Sequence, residues 1–236
     1  MNWQTFDSAD ALAEHAAHLL LAAIQHEPKI VLGLPTGRTP IGMYDRVVRE
    51  CGREYRCFRD VTSFNLDEYA GVPRAHPGSY FSYMKQHLFD HVDIDPANAH
   101  LPDGMAPDLD AECARYERDI VAAGGLGLTF LGVGRNGHIG FNEPGSPFDA
   151  RTRVVELTPS TRAANAEFFP DGEVPARAIT MGIGTILESR AIVLLAAGAG
   201  KSEAIARLRS GVVDESFPAS ALWKHGNVKV LWSGGL

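Results

Sequence analysis

Leu131-Gly-Val-Gly-Arg-Asn-Gly-His-Ile-Gly-Phe-Asn-Glu-Pro144 is the stretch on which the reading of this 236-residue chain turns. It continues an apolar run, Leu128 to Val133, and then gives way to glycines at 134, 137 and 140 around one histidine and one glutamate. Glycine lets a backbone turn tightly and approach a ligand, and histidine titrates near neutral pH. His138 and Glu143 in such a loop have the make-up of acid–base machinery. Gly132-x-Gly134-x-x-Gly137 imitates a dinucleotide fingerprint, but that fingerprint needs a helix opening at the loop. Asn142-Glu-Pro-Gly145 follows too closely for a helix to form. A strand running into an irregular ligand loop is expected, without a bound dinucleotide.

Working outward, similar apolar runs recur at Lys29–Leu34, Val61–Leu66, Arg177–Met181, Ala191–Ala197 and Val228–Trp232. Between them lie segments of helical pattern: Ala9–Gln25 behind the capping pair Asp7-Ser8, the stretch to about Glu50, Ser79–Phe89, Asp110–Ala122, Ile183–Leu187 and a helix ending near Arg209. This alternation indicates an α/β fold: a three-layer, open, mostly parallel, Rossmann-like sheet covered on both faces. The polar, proline-bounded stretch Pro159–Pro175 is expected to form a small helical lid over the pocket. No repeat, linker or low-complexity tract interrupts the chain, so residues 1–236 are read as a single domain.

Composition narrows the function. With 45% hydrophobic residues the chain can bury a sizeable core. A net charge of −7 argues against a general nucleic-acid binder. Cys51, Cys57 and Cys113 are odd in number and lack metal-knuckle spacing, which fits reduced thiols in the cytoplasm. No signal peptide and no run long enough to span a membrane is found.

In open parallel sheets, ligands bind beyond the carboxyl ends of the strands. Four strand ends bring chemistry there. Thr36-Gly37-Arg38-Thr39 joins a strand to a helix and suits an anion, or is an ordinary turn with Thr39 as cap and Pro40 in the first helical turn. Asp67-Glu68 places two carboxylates after a strand, one of them a candidate base if burial raises its pKa. The loop of His138 and Glu143 is the third. Gly198-Ala-Gly-Lys-Ser202 is the fourth; it lacks the first glycine of a nucleotide P-loop, Leu195 standing there, but Lys201 is placed to pair with a phosphate monoester. His87 and His91 share a helix face and are read as a solvated helix end rather than as metal ligands.

With these residues in place, the chain resembles the glucosamine-6-phosphate deaminase family along nearly its whole length. The resemblance is carried by Leu32–Tyr44, Phe64-Asn-Leu-Asp-Glu-Tyr69, His76-Pro-Gly-Ser-Tyr80, Phe89–Ile94, Gly132–Pro144, Arg151-Thr-Arg153, Thr161-Arg-Ala-Ala-Asn165 and Phe217-Pro-Ala-Ser-Ala221. It implies a hydrolytic deaminase that turns glucosamine 6-phosphate and water into fructose 6-phosphate and ammonia without metal or organic cofactor. Asp67 matches the base that moves a proton between C2 and C1. His138 matches the ring-opening group, with Glu143 its supporting carboxylate. Thr36, Gly37, Arg38, Thr39, Arg162 and Lys201 fall at or beside phosphate-binding positions. The expected partner is a small phosphosugar, with no nucleic acid or membrane, in a monomer or homo-oligomer.

The chain departs from the pattern at two places. Asn136 stands where part of the family has an aspartate that helps hold the histidine, so His138 is expected to be oriented by Glu143 or Asp67. Regulated relatives bind N-acetylglucosamine 6-phosphate at a basic interface site; Arg153 fits it, but Val155 stands where a lysine is expected. Little allosteric activation is anticipated. Rival readings are galactosamine 6-phosphate as substrate, which differs at one hydroxyl, 6-phosphogluconolactone hydrolysis on the same fold, and a phosphosugar sensor that has lost catalysis. The lactonases usually carry arginine where this chain has Tyr69 and lack Phe141-Asn-Glu-Pro144. Joint retention of Asp67, His138 and Glu143 argues against the sensor.

Overall fold

The computed structural model describes residues 1–54, 57–169, 172 and 174–234. Strand β1 (Asn2–Thr5) precedes helix α1 (Ala9–His26), which starts where Ser8 accepts the Ala11 N–H at 3.1 Å. Next come β2 (Val31–Leu34), α2 (Ile41–Glu54), β3 (Thr62–Asn65) and β4 (Asp67–Tyr69). After α3 (Tyr80–His87), β5 (Ala99–His100) and α4 (Leu109–Ala122), the chain enters β6 (Leu128–Gly132). β7 (Arg153–Glu156), α5 (Pro159–Asn165), β8 (Arg177–Thr180) and α6 (Ile183–Leu187) follow. β9 (Ala191–Ala197), α7 (Ser202–Arg209) and β10 (Val228–Ser233) come last.

Seven strands form the main sheet in the order β1-β10-β9-β6-β2-β3-β5, all pairs parallel. Its strands are apolar on both faces because both are covered. Ile192, Leu194 and Ala196 of β9 enter one core with Tyr116 and Ile120 of α4, Ile183 and Ile186 of α6, and Ile205 and Leu208 of α7. Val193 and Leu195 enter the other, with Leu12 and Leu20 of α1, Met43 and Val47 of α2, and Met84 of α3. The expected three-layer α/β arrangement is therefore present. Among the described residues no helix is long and apolar enough to cross a membrane.

A second sheet, not anticipated, has the antiparallel order β4-β8-β7. Arg177–Met181 was expected among the strands of the parallel sheet; instead β8 is the middle of this small one. Asp67 and Glu68 lie inside β4 rather than in a loop, and Asp67 faces Thr180 in register. One residue makes the transfer: the Leu66 N–H bonds the Leu34 carbonyl in the main sheet, while its carbonyl accepts the Met181 N–H. Met181 lies just beyond β8, so the chain changes sheets at Leu66.

The expected lid stretch is helical from Pro159 to Phe168; its residues 170, 171 and 173 lie outside the described residues. Thr158 caps α5, and a short 3-10 turn, Ala166–Phe168, follows it. Phe169 then anchors the segment edge-on to Tyr69 at 5.1 Å and stacked on His76 at 5.3 Å. Together with Val72, Phe141, Leu157, Val174 and Ala178, Tyr69 and Phe169 form a third, separate core.

Candidate active site

Because β9, β6, β2 and β3 are neighbours and parallel, their carboxyl ends lie side by side. The segments that follow stand in the same order: the turn holding Lys201, the loop of His138, the loop Thr36–Thr39, and Asp67. The four segments picked out in the sequence are thus brought to one edge.

The loop after β6 is a series of tight turns, not a helix. The Gly134 N–H bonds the His138 carbonyl at 2.8 Å, and the Asn142 N–H bonds that of Ile139 at 3.1 Å. A Cβ on Gly134 would lie 2.3 Å from the His138 ring, so this glycine makes room for the imidazole and not for a pyrophosphate. Gly137, at φ +87°, presses against Phe217, and its carbonyl accepts the Ala219 N–H at 2.9 Å. Asn142 ties the far side down by donating to the carbonyls of Ile139 and Met181, both at 2.9 Å.

Glu143 is the electrostatic centre of this loop. Its Oε1 accepts from the Thr161 hydroxyl of the lid at 2.5 Å and its Oε2 from the Asn136 amide at 2.7 Å. Nδ1 of His138 lies 3.7 Å from Oε2, and it is buried without a hydrogen-bond partner among the described residues. Burial pushes the Glu143 carboxyl upward, but His138, Thr161 and Asn136 outweigh it and hold the group at about 2. Glu143 is therefore a fixed anion beside the histidine across the neutral range.

Asp67 has the opposite setting. It is buried, and desolvation followed by repulsion from Glu68 raises its carboxyl to about 8, with the Thr36 hydroxyl opposing. Gly140 of the histidine loop approaches it closely, since a Cβ there would lie 3.4 Å from Oδ2. Glu68 points away, toward the start of α3, and accepts the N–H groups of Tyr69, Tyr80 and Phe81 at 2.8, 2.9 and 2.9 Å. Burial nevertheless raises it to about 7. Of the two carboxylates, Glu68 is committed to backbone N–H groups, and Asp67 meets the Thr36 hydroxyl.

Thr36–Thr39 forms an open loop with Gly37 at φ +92°. Among the described residues, the N–H groups of Thr36, Gly37, Arg38 and Thr39 donate to no protein acceptor. Unpaired N–H groups at the end of a strand suit an anion. Lys201 is half-buried in the turn before α7; burial, then Arg135, lowers its pKa. Arg135 was not singled out in the sequence, although it sits within the decisive stretch. Its guanidinium lies against Gly200, Nε 3.3 Å from where a Cβ would stand. Two adjacent cations without a carboxylate among the described residues mark a place for an anion.

Two residues expected at the phosphate have partners within the chain. Arg38 is exposed and pairs with Glu167 of the lid, its Nε donating at 2.8 Å. Arg162 in α5 donates from Nε to the Val174 carbonyl at 3.0 Å. The histidines of α3 and the turn after it have local partners: His87 packs on Tyr83 at 4.5 Å and His91 contacts the Gln86 carbonyl at 2.9 Å. A cavity of about 510 Å³ lined by His18, Gln25, Glu50 and Arg59 lies at the opposite, amino edge of the sheet.

Comparison with known proteins accords with this geometry. Residues 4–232 match the family described as glucosamine-6-phosphate isomerases/6-phosphogluconolactonase. A protein of Lysinibacillus sphaericus (strain C3-41) named glucosamine-6-phosphate deaminase is 50% identical over 235 residues, covering 99% of each chain. A solved structure described as a monomeric glucosamine-6-phosphate deaminase has a TM-score of 0.96 at 46% identity, covering 99% of this chain and 97% of that one. A 6-phosphogluconolactonase from Thermotoga maritima, at 22% identity and a TM-score of 0.74 over 99% of each chain, shares the fold. The chain belongs to the family of glucosamine-6-phosphate isomerases and 6-phosphogluconolactonases.

Proposed function

We propose that the protein is a glucosamine-6-phosphate deaminase, releasing fructose 6-phosphate and ammonia from glucosamine 6-phosphate and water. The observation that carries this reading is 50% identity to a named deaminase over 99% of both chains, against 22% to a lactonase of the same fold. Tyr69 and Asn142-Glu143, which set the chain apart from the lactonase pattern, are structural keystones here. Tyr69 is wholly buried beneath the lid, and Asn142 and Glu143 hold the histidine loop.

The residues divide the chemistry as follows. His138 takes the proton of the anomeric hydroxyl and delivers one to the ring oxygen, so the C1–O5 bond breaks and the aldehyde opens. Glu143 stabilises the cationic imidazole formed in between, and Asn136 fixes Glu143. Asp67 then removes the C2 proton: the C–H pair forms the C1=C2 bond, the C1=O π pair moves to O1, O1 takes a proton from the C2 ammonium group to give an enolamine, and Asp67 returns its proton to C1. The resulting C2 imine adds water and expels ammonia. A carboxyl raised to about 8 is a stronger base than an ordinary aspartate, which suits removal of the C2 proton. The N–H groups of Thr36–Thr39, with Lys201 and Arg135, hold the phosphate; Arg162 and Arg38 act with the lid.

In this account residues 1–236 act as one catalytic domain. The 46% identical deaminase described as monomeric supports a monomer, and the odd cysteine count supports a cytoplasmic setting. The test is ammonia release from glucosamine 6-phosphate with galactosamine 6-phosphate in parallel, which also decides between the C4 epimers.

A further inference from the structure

Two buried tyrosines from different helices reach up to the Thr36–Thr39 loop from beneath. Tyr44 of α2 donates its hydroxyl to the Pro35 carbonyl at 2.6 Å. Tyr83 of α3 donates to the Gly37 carbonyl at 2.7 Å. Both rings belong to the core that covers this face of the sheet, so both carbonyls are drawn toward it.

The consequence follows from the peptide unit. All described peptide bonds are trans, and in a trans peptide the C=O and N–H of one plane point in opposite directions. Drawing the Pro35 carbonyl toward Tyr44 therefore turns the Thr36 N–H outward. Drawing the Gly37 carbonyl toward Tyr83 does the same for the Arg38 N–H. These are two of the N–H groups that have no protein acceptor among the described residues. Without the tyrosines, Gly37 has the conformational freedom to let its plane rotate, and the outward amides would have to be ordered at each binding event.

We infer that Tyr44 and Tyr83 are positioning residues for the sugar phosphate: their hydroxyls pre-orient the amides of the anion loop without touching the ligand. The inference rests on the reading of this loop as the phosphate site.

The test uses Tyr44→Phe and Tyr83→Phe, which remove one oxygen each and keep the ring in its core. The wild-type enzyme is measured first, with inorganic phosphate as a competitive inhibitor of glucosamine 6-phosphate turnover. If the wild type turns over substrate but phosphate does not compete, the phosphate reading of the site falls, and this inference with it. If phosphate competes, each variant is expected to raise both KM and the phosphate inhibition constant about fivefold to tenfold, the loss of one hydrogen bond's worth of ordering, with kcat within about twofold. A purely structural role would lower Tm and leave KM and the phosphate constant unchanged. That result in both variants overturns the inference while leaving the phosphate site and the reaction standing. Should one variant fail to fold, the other carries the same test.

Discussion

The Asn136 side chain bridges Glu143 and the histidine that Glu143 serves: its amide donates to Oε2 at 2.7 Å, and its carbonyl oxygen accepts the His138 N–H at 3.2 Å. A neutral residue thereby ties the carboxylate to the histidine's backbone. Asn136→Ala is expected to lower kcat about tenfold to a hundredfold with little change in KM, since Glu143 loses its tether. Asn136→Asp keeps an acceptor but sets two carboxylates side by side. Its pH–rate profile should move to higher pH, because added negative charge favours protonated neighbours. Steady-state kinetics across pH checks both, and an unshifted profile in the aspartate variant contradicts the account.

Asp67 makes catalysis and stability oppose each other. Burial and Glu68 raise its carboxyl from 3.8 to about 8, so the folded protein binds this proton more tightly than the unfolded chain. Its stabilising contribution is complete below pH 3.8 and is lost as pH rises to about 8. Glu68, raised to about 7, acts in the same direction. Asp67→Asn, which carries no charge to desolvate, should melt higher than wild type at pH 8 while losing turnover by about a thousandfold or more. The wild-type kcat/KM should climb with a midpoint near pH 8 and level off above it. Thermal melts and rate profiles decide the matter; a variant that melts lower at pH 8 counts against a costly buried charge.

Arg135 and Lys201 are adjacent cations. Arg135→Gln should raise KM for glucosamine 6-phosphate about tenfold and leave kcat nearly unchanged, because a charge-assisted contact to the phosphate is made equally in ground and transition states. Arg135→Lys should recover part of the loss. Equal KM values for wild type and the glutamine variant would remove Arg135 from the site.

Arg153, the one residue that fits a regulatory site, is engaged within the chain. Its guanidinium donates to Asn142 at 2.7 Å and to Ser146 at 3.1 Å, bracing the histidine loop. N-acetylglucosamine 6-phosphate should leave the rate curve hyperbolic and its midpoint unchanged. A sigmoidal curve that this compound makes hyperbolic would refute the assignment. Arg153→Ala, by contrast, should lower kcat through the loosened loop.

What was legible in the sequence was what short-range chemistry controls. Ser8 caps α1, and the bounds of α6 and β9 coincide with their apolar patterns; in β9, burial on both sheet faces gives an uninterrupted run. Asp67, His138, Glu143 and Lys201 could be gathered to one edge because parallel strands put their carboxyl ends together. The rest depends on distant partners. The change of sheets at Leu66 is invisible in a continuous β-forming run, since it is imposed by Met181. β1 exists through its pairing with β10, more than two hundred residues later, and β7 through its pairing with β8. Thr36 was read only as a phosphate contact, yet its hydroxyl also meets Asp67. Arg38 was read as a phosphate contact; its pairing with Glu167 across the chain was not visible in the sequence.

The most direct test of the central claim measures both products in one reaction: purified protein with glucosamine 6-phosphate, ammonia and fructose 6-phosphate followed together, and 6-phosphogluconolactone offered separately. The account predicts equal amounts of the two products, no hydrolysis of the lactone above its spontaneous rate, and loss of both products in Asp67→Asn. Hydrolysis of the lactone with silence on the amino sugar would contradict it.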